Sequence, residues 1–211
     1  MPDIIDKLNW RYAVKKFDSD KIVSKDKIDK LKQAFNLTAT SYGLQPIKLV
    51  VLKNKELQGQ LVQHSFEQQQ IAQASHILVI CIENNIDGDY ITDYFRLVKE
   101  VRGTSNEVLN PFKEALVSDF SNKDVQEIKN WAINQAYLAM GNLLTVCAVE
   151  KIDSCPMEGF QSDAYDVFFD LDKKGLTSVL AMPIGYRAED DEFSSFKKVR
   201  KDINDSVIEF F

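Results

Sequence analysis

The chain has 211 residues, of which 45% are hydrophobic and 27% are charged, so its length and composition predict a single globular domain spanning residues 1–211. Its net charge of −6 argues against nucleic acid or a membrane as a partner, and because no segment resembles a signal peptide or a membrane span we expect a cytoplasmic protein. Three cysteines and two histidines without a CxxC pair argue against a metal site and indicate reduced, buried thiols.

Helices alternate with a small number of strands along the chain. Apolar residues spaced three or four positions apart predict helices over 3–11, 24–37, 55–75, 91–103, 106–120, 123–149 and 164–171. Runs of β-branched and apolar residues predict buried strands over 47–53, 76–83 and 177–187. The pattern favours an α/β or α+β protein in which helices cover one central sheet.

The helix predicted over 123–149 is apolar almost all round in its second half, which places it at the centre of the molecule or in a subunit interface. Gly141 inside it predicts the close approach of another backbone, because glycine costs a helix about 1 kcal/mol relative to alanine. Trp131 and Tyr137 on this helix are interpreted as packing residues. His76, at the start of an apolar strand, is interpreted as a hydrogen-bonded core histidine.

Two clusters of cations stand far apart in the sequence. The first is WRYAVKK, with Arg11, Lys15 and Lys16, and the second is FKKVRK at 196–201. Such clusters are more often solvated surface. If the fold brought them together, however, they would form a site for an anion, because the guanidinium group of arginine binds phosphate through two hydrogen bonds. No GxGxxG or Walker A motif is present as an alternative phosphate site.

Taken in order, five segments resemble the FMN-dependent nitroreductase family. They are RYAVKKFD (11–18), TATSYGLQP (38–46), QQQIAQASHILVIC (68–81), the apolar helix followed by PMEGF (131–160), and LAMPIGYR with KKVR near the end of the chain. The resemblance implies an α+β fold with a central mixed β-sheet flanked by helices. It also implies a homodimer that has the long central helix in its interface and FMN bound between the subunits.

The resemblance further implies a cofactor site. The FMN phosphate would be held by Arg11, Lys198 and Arg200, with Tyr12 and Ala13 nearby. Lys15 would face the pyrimidine edge of the flavin, where a cation stabilises the charge of the reduced ring. The remaining implied cofactor-binding residues are Glu158 and Gly159 near the reactive nitrogen N5, Thr40, Ser41 and Gly43 from the partner subunit, and Glu67 and Gln70 beside the ring. No side chain is assigned a catalytic role, and Lys16 and Lys21 are interpreted as solvated.

The implied activity is the transfer of hydride from NADH or NADPH to FMN, followed by reduction of a nitroaromatic or quinone in a ping-pong cycle. Two alternatives stay open: a family member that reduces an enone, a pterin or a flavin, and a flavin-binding or electron-transfer module without substrate turnover. The sequence departs from the family pattern at Ala13, Ile47, Glu67 and Gln70. These departures leave the redox potential and the preferred nicotinamide open.

Overall fold

A computed structural model describes residues 3–211. Its helices are α1 (Ile4–Trp10), α2 (Lys25–Asn36), α3 (Lys55–Leu61), α4 (Gln70–Gln73), α5 (Gly88–Arg102), α6 (Asn106–Ser121), α7 (Val125–Val149), α8 (Ser162–Phe168) and α9 (Ile203–Ser206). Its strands are β1 (Ile47–Leu52), β2 (His76–Glu83), β3 (Asp153–Ser154) and β4 (Leu176–Gly185). The expected α+β architecture is confirmed.

The four strands form one sheet in the order β1-β2-β4-β3, and each neighbouring pair is antiparallel. The end of β1 lies beside the start of β2, with Leu52 opposite Ile77. The chain between the two strands therefore leaves and re-enters the sheet at the same end of the strands. Such a connection produces an antiparallel pair. Among residues 3–211, the one parallel pairing is the isolated bridge between Ala13 and Ser154.

Strand β2 is buried on both faces and divides the core in two. Alternate side chains point to opposite faces, so Leu78 and Ile80 pack on the side of α7, whereas Ile77 and Val79 pack on the side of α8. Helices α2, α5, α6 and α7 cover the first face, and α3, α4 and α8 cover the second. Strand β1, by contrast, lies at the sheet edge and is only partly buried, because one of its sides has no neighbouring strand.

Helix α7 leaves one stripe of its surface uncovered. By length and composition alone it could cross a membrane, contrary to the sequence expectation, but it packs against both β2 and β4. Its exposed stripe includes Tyr137, Leu138, Gly141 and Val149. A Cβ atom added to Gly141 would meet no atom within 4 Å, so the close backbone approach expected at this glycine is not made within the chain.

The prediction of one continuous helix over 55–75 is wrong. It is divided into α3, a short 3-10 turn (Gln63–Ser65) and α4. Phe66 and Glu67 adopt left-handed φ values of 53° and 59°, which no continuous right-handed helix permits. Glutamine and serine allow a helix as well as a turn, so the sequence pattern did not reveal the break.

The sequence interpretations of the three cysteines and of His76 are confirmed. All three cysteines are free and buried. The Nδ1 atom of His76 lies 2.8 Å from the hydroxyl of Ser75, and burial lowers the pKa of the imidazole to about 4, so the ring is neutral at physiological pH.

Candidate functional site

Cations from both clusters line one cavity of about 520 Å³, which we call the cation cavity. Its volume is typical of small-molecule sites, which span about 300–1,000 Å³. The cations on its wall are Arg11, Lys15, Lys197, Lys198 and Arg200. Tyr12, Ala13 and Pro156 also line it. Residues almost two hundred positions apart in sequence therefore meet at one concave surface.

The backbone beside Arg11 is fixed by a buried ion pair. Asp153 at the start of β3 is 4% exposed, and it accepts hydrogen bonds from the backbone N–H (2.8 Å) and Nε (2.9 Å) of Arg187. The guanidinium of Arg187 lies between the rings of Trp10 and Tyr12, at 4.5 and 4.4 Å from their centroids. Cation–π contacts with both rings hold the residues that flank Arg11 against the sheet.

The charges in the cavity repel one another. Burial lowers the pKa of the Arg11 guanidinium, and the charge of Arg200 lowers it further. Burial also lowers the pKa of Lys198, as do the charges of Arg11 and Arg200. Within residues 3–211, none of the ion pairs includes Arg11, Lys198 or Arg200, and no carboxylate lines the cavity.

A buried donor in the cavity has no partner. The Nε atom of Arg11 is buried without a hydrogen bond, and the ammonium of Lys198 donates only to the carbonyl oxygens of Leu8 (2.9 Å) and Arg11. A buried unpaired donor costs about 1–3 kcal/mol. An anion bound here would accept a hydrogen bond from the unpaired donor and would offset the repulsion between the cations. The cavity therefore has the two features expected of an anion site.

The segment Pro156–Phe160, which we call the Glu158 segment, continues from the wall of the cation cavity. The amide of Gln68 donates to the carbonyl of Gly159 at 2.8 Å, and the amide of Gln70 donates to the side-chain oxygen of Gln68 at 2.8 Å. Gln70 is 5% exposed. A chain of two glutamines therefore holds the Gly159 peptide from the side of α4.

A second hydrogen bond holds the Glu158 segment from the side of α7. The hydroxyl of Tyr137 donates to Oε1 of Glu158 at 2.7 Å, and both side chains are exposed. This hydrogen bond raises the pKa of Tyr137. Tyr137 was interpreted from the sequence as a packing residue, but it is 45% exposed and its polar end contacts the candidate site.

The loop that contains Thr40, Ser41 and Gly43 does not line the cation cavity. The backbone N–H of Ser41 donates to the buried Gln135 on α7 at 2.8 Å. On the other side, Tyr94 of α5 lies so close that a Cβ atom added to Gly43 would be 2.3 Å from its hydroxyl, and Gly43 has a φ of 74°. A larger residue here would have a strained backbone and would need Tyr94 to move, so the position favours glycine.

Of the thirteen residues expected at the cofactor, six line the cation cavity: Arg11, Tyr12, Ala13, Lys15, Lys198 and Arg200. Gly159 and Gln70 are joined through Gln68, whereas Glu67 is an exposed residue of the left-handed turn. Sequence reasoning missed Gln68, Tyr137 and Arg187, and also Asp191, a buried carboxylate that accepts a hydrogen bond from the hydroxyl of Tyr12. Gln68 stands in a run of three glutamines and Asp191 in a run of acidic residues, so neither position was distinguishable from its neighbours.

The profile of the nitroreductase family matches residues 8–186. A protein of Staphylococcus saprophyticus, named provisionally as an NAD(P)H nitroreductase, is 32% identical over 97% of this chain and 95% of its own length. Two solved structures share the fold. One is a provisionally named nitroreductase from Exiguobacterium sibiricum in complex with FMN (TM-score 0.84, 19% identity, 100% and 98% of the two chains). The other is an enone reductase of gut-bacterial fatty acid saturation (TM-score 0.81, 19% identity, 100% and 99%). The chain belongs to the nitroreductase family.

Proposed function

We propose that the protein is an FMN-dependent NAD(P)H oxidoreductase that reduces small-molecule electron acceptors of the nitroaromatic or quinone type. The observation that carries the proposal is the cation cavity of a nitroreductase-family chain, in which five cations meet without a carboxylate. The buried, unpaired Nε–H of Arg11 fits a phosphate-bearing cofactor, because a phosphate oxygen would supply the missing acceptor.

In this proposal the cavity residues bind and orient the cofactor. Arg11, Lys198 and Arg200 hold the phosphate, and Tyr12 and Ala13 line the space beside it. Lys15, which lines the same cavity, would stabilise the negative charge that accumulates on a reduced flavin ring. FMN bound there would supply the hydride chemistry of a ping-pong cycle between the nicotinamide and the second substrate.

The Glu158 segment has a positioning role in the same proposal. Gln68 and Tyr137 hold it from two sides, so the backbone N–H groups of Glu158 and Gly159 are fixed before a ligand arrives. Fixed donors avoid the cost of ordering at the moment of reaction. Glu67 and Gln70 stay proposed contacts to the ring.

We also propose that the protein is a homodimer and that Thr40, Ser41 and Gly43 reach the cofactor of the partner subunit. The support is an exposed apolar face on two helices that pack together: Ile5 of α1 is 56% exposed, and Leu138 and Val149 of α7 are 53% and 45% exposed. Exposed apolar residues grouped in this way are typical of interfaces. Sedimentation of the flavin-loaded protein should give a dimer; a monomer that retains FMN would contradict the shared site.

A second acceptor class is favoured by one comparison. A structural relative is an enone reductase, so an activated carbon–carbon double bond is an alternative to the nitro or quinone group. Acceptor assays on nitrobenzoates, quinones and enones, run at one NADPH concentration, distinguish them by their kcat/KM values. The pterin and flavin acceptors belong in the same panel.

The proposed function is tested by the visible spectrum of the purified protein, recorded anaerobically before and after addition of NADH or NADPH. We expect a bound-flavin spectrum that at least one nucleotide bleaches. A flavin spectrum that neither nucleotide bleaches would favour a flavin-binding or electron-transfer module. The absence of flavin after reconstitution with FMN would overturn the proposal and leave the cations as surface charge.

A further inference from the structure

One buried carboxylate stands beside the cation cavity without neutralising it. Asp191 is 3% exposed. In the sequence it follows β4 and precedes residues 193–200, which contribute one wall of the cavity. In the described part of the chain no ion pair joins it to a cation. A buried carboxylate next to an anion site is unfavourable unless its oxygens are satisfied in another way.

Neutral donors satisfy this carboxylate, and they come from both walls of the cavity. Oδ2 accepts hydrogen bonds from the hydroxyl of Tyr12 at 2.9 Å and from the backbone N–H groups of Lys15 (3.1 Å) and Lys16 (3.3 Å). Oδ1 accepts from the backbone N–H of Phe193 at 3.2 Å and begins the short 3-10 turn Glu192–Ser195. One oxygen thus holds the wall that carries Arg11 and Lys15, and the other holds the start of the opposite wall.

This division has a geometric consequence. The turn fixed by Oδ1 leads directly into the stretch that carries Lys198 and Arg200, so the position of these cations depends on where the turn begins. Only a carboxylate suits both sides, since asparagine has one oxygen and would point an N–H group at a donor on one of them. Asp191 therefore sets the spacing of the two walls and leaves the charges of the cations available.

Resting on the proposed function, we propose that Asp191 is a positioning residue that makes the cation cavity selective for a phosphorylated flavin over an unphosphorylated one. It does not contact the cofactor. It acts through the backbone of residues 12–16 and through the 3-10 turn. Its effect is on the binding of the phosphate group and not on the binding of the flavin ring.

The test compares FMN with riboflavin, which lacks the phosphate, by flavin fluorescence titration of the full chain carrying Asp191→Asn. We expect the dissociation constant for FMN to rise about tenfold, the effect of losing charge-assisted hydrogen bonds, and that for riboflavin to change less than about twofold. The matched control is Asp190→Asn. It removes the same charge one residue away, from an exposed side chain whose partner Lys16 lies outside the cavity, and should leave both constants unchanged.

Two results would overturn the inference: an unchanged constant for FMN, or equal weakening of both flavins, which is the result of general unfolding. Should Asp191→Asn fail to fold, Tyr12→Phe removes one donor to Oδ2 and retains the aromatic contact with Arg187. It should weaken FMN two- to threefold and riboflavin not at all, and an unchanged ratio overturns the inference. An unsubstituted protein that binds neither flavin would overturn the proposed function itself, and this result is recognisable before any variant is made.

Discussion

The cation cavity and the Glu158 segment meet at Pro156, but their polar groups are satisfied in opposite ways. In the cavity like charges lie close together, and the Nε–H of Arg11 has no acceptor. In the Glu158 segment the carboxylate of Glu158 and the carbonyl of Gly159 each have a donor, from Tyr137 and from Gln68. The cavity is destabilised until an anion enters it, whereas the Glu158 carboxylate and the Gly159 carbonyl have their donors without a ligand.

This difference predicts opposite effects of substitution on the flavin-free protein. Removing a cation from the cavity should relieve repulsion and stabilise the fold, at the expense of cofactor affinity. Removing a donor from the Glu158 segment should leave an acceptor unpaired and destabilise the fold. The sign of the change in stability therefore distinguishes the cation cavity, where like charges repel one another, from the Glu158 segment, where hydrogen bonds stabilise the fold.

The largest effect is expected for Arg11→Met. Methionine retains much of the packing of the arginine stem but removes the charge and the unpaired donor. We expect the dissociation constant for FMN to rise about 10- to 100-fold, and the flavin-free protein to gain up to about 1 kcal/mol in free energy of unfolding, a value discounted because Arg11 is only half-buried. Fluorescence titration and urea unfolding measure the two quantities.

The matched control is Lys16→Met, which removes an exposed cation from the same segment. It should alter neither quantity. If Arg11→Met destabilises the flavin-free protein while FMN affinity is retained, then Arg11 is a structural cation, and the contrast between the two regions is lost.

An effect of opposite sign on the free energy of unfolding is expected for Gln68→Leu, and it is smaller than the change in FMN affinity expected for Arg11→Met. The substitution removes the donor to the carbonyl of Gly159 and the acceptor of the buried Gln70 amide. We expect a loss of about 1–2 kcal/mol in the free energy of unfolding by urea, with or without flavin. Gln69→Leu is the control, because Gln69 is exposed and its amide reaches only the carbonyl of Glu67, at 3.3 Å. Equal losses in both variants would show that the glutamine chain does not hold the segment.

The same contrast explains what could be read from the sequence. Charges are visible without a structure, so Arg11, Lys15, Lys198 and Arg200 were identified, and the resemblance supplied their common site. Helix α7 and strands β2 and β4 followed from long apolar patterns. Hydrogen bonds between neutral groups leave no such pattern in the sequence. Gln68 and Gln69 are the same residue type, and the left-handed turn at Phe66 and Glu67 that precedes them is visible only in the structure.

Asp191 was missed for a related reason. Its position in the acidic run AEDDEF suggests solvent exposure, and only tertiary structure shows that this one carboxylate of the run is buried while Asp190 pairs with Lys16 at the surface. The polar contact between Tyr137 and Glu158 joins residues 21 positions apart, and the spacing alone does not predict it.

The smallest effect is expected for Tyr137→Phe, which removes the donor to Glu158 at an exposed position. Because solvent screens this hydrogen bond, the free energy of unfolding should fall by no more than about 0.5 kcal/mol at neutral pH. The bond favours the protonated hydroxyl and raises the pKa of Tyr137 in the folded protein. Its contribution is therefore fully present below the unfolded pKa of about 10 and is lost as the pH rises through the folded value. Unfolding curves of the two proteins should differ at pH 8 and converge in strong alkali; a constant difference across this range would mean that the hydroxyl acts by packing, as the sequence had indicated.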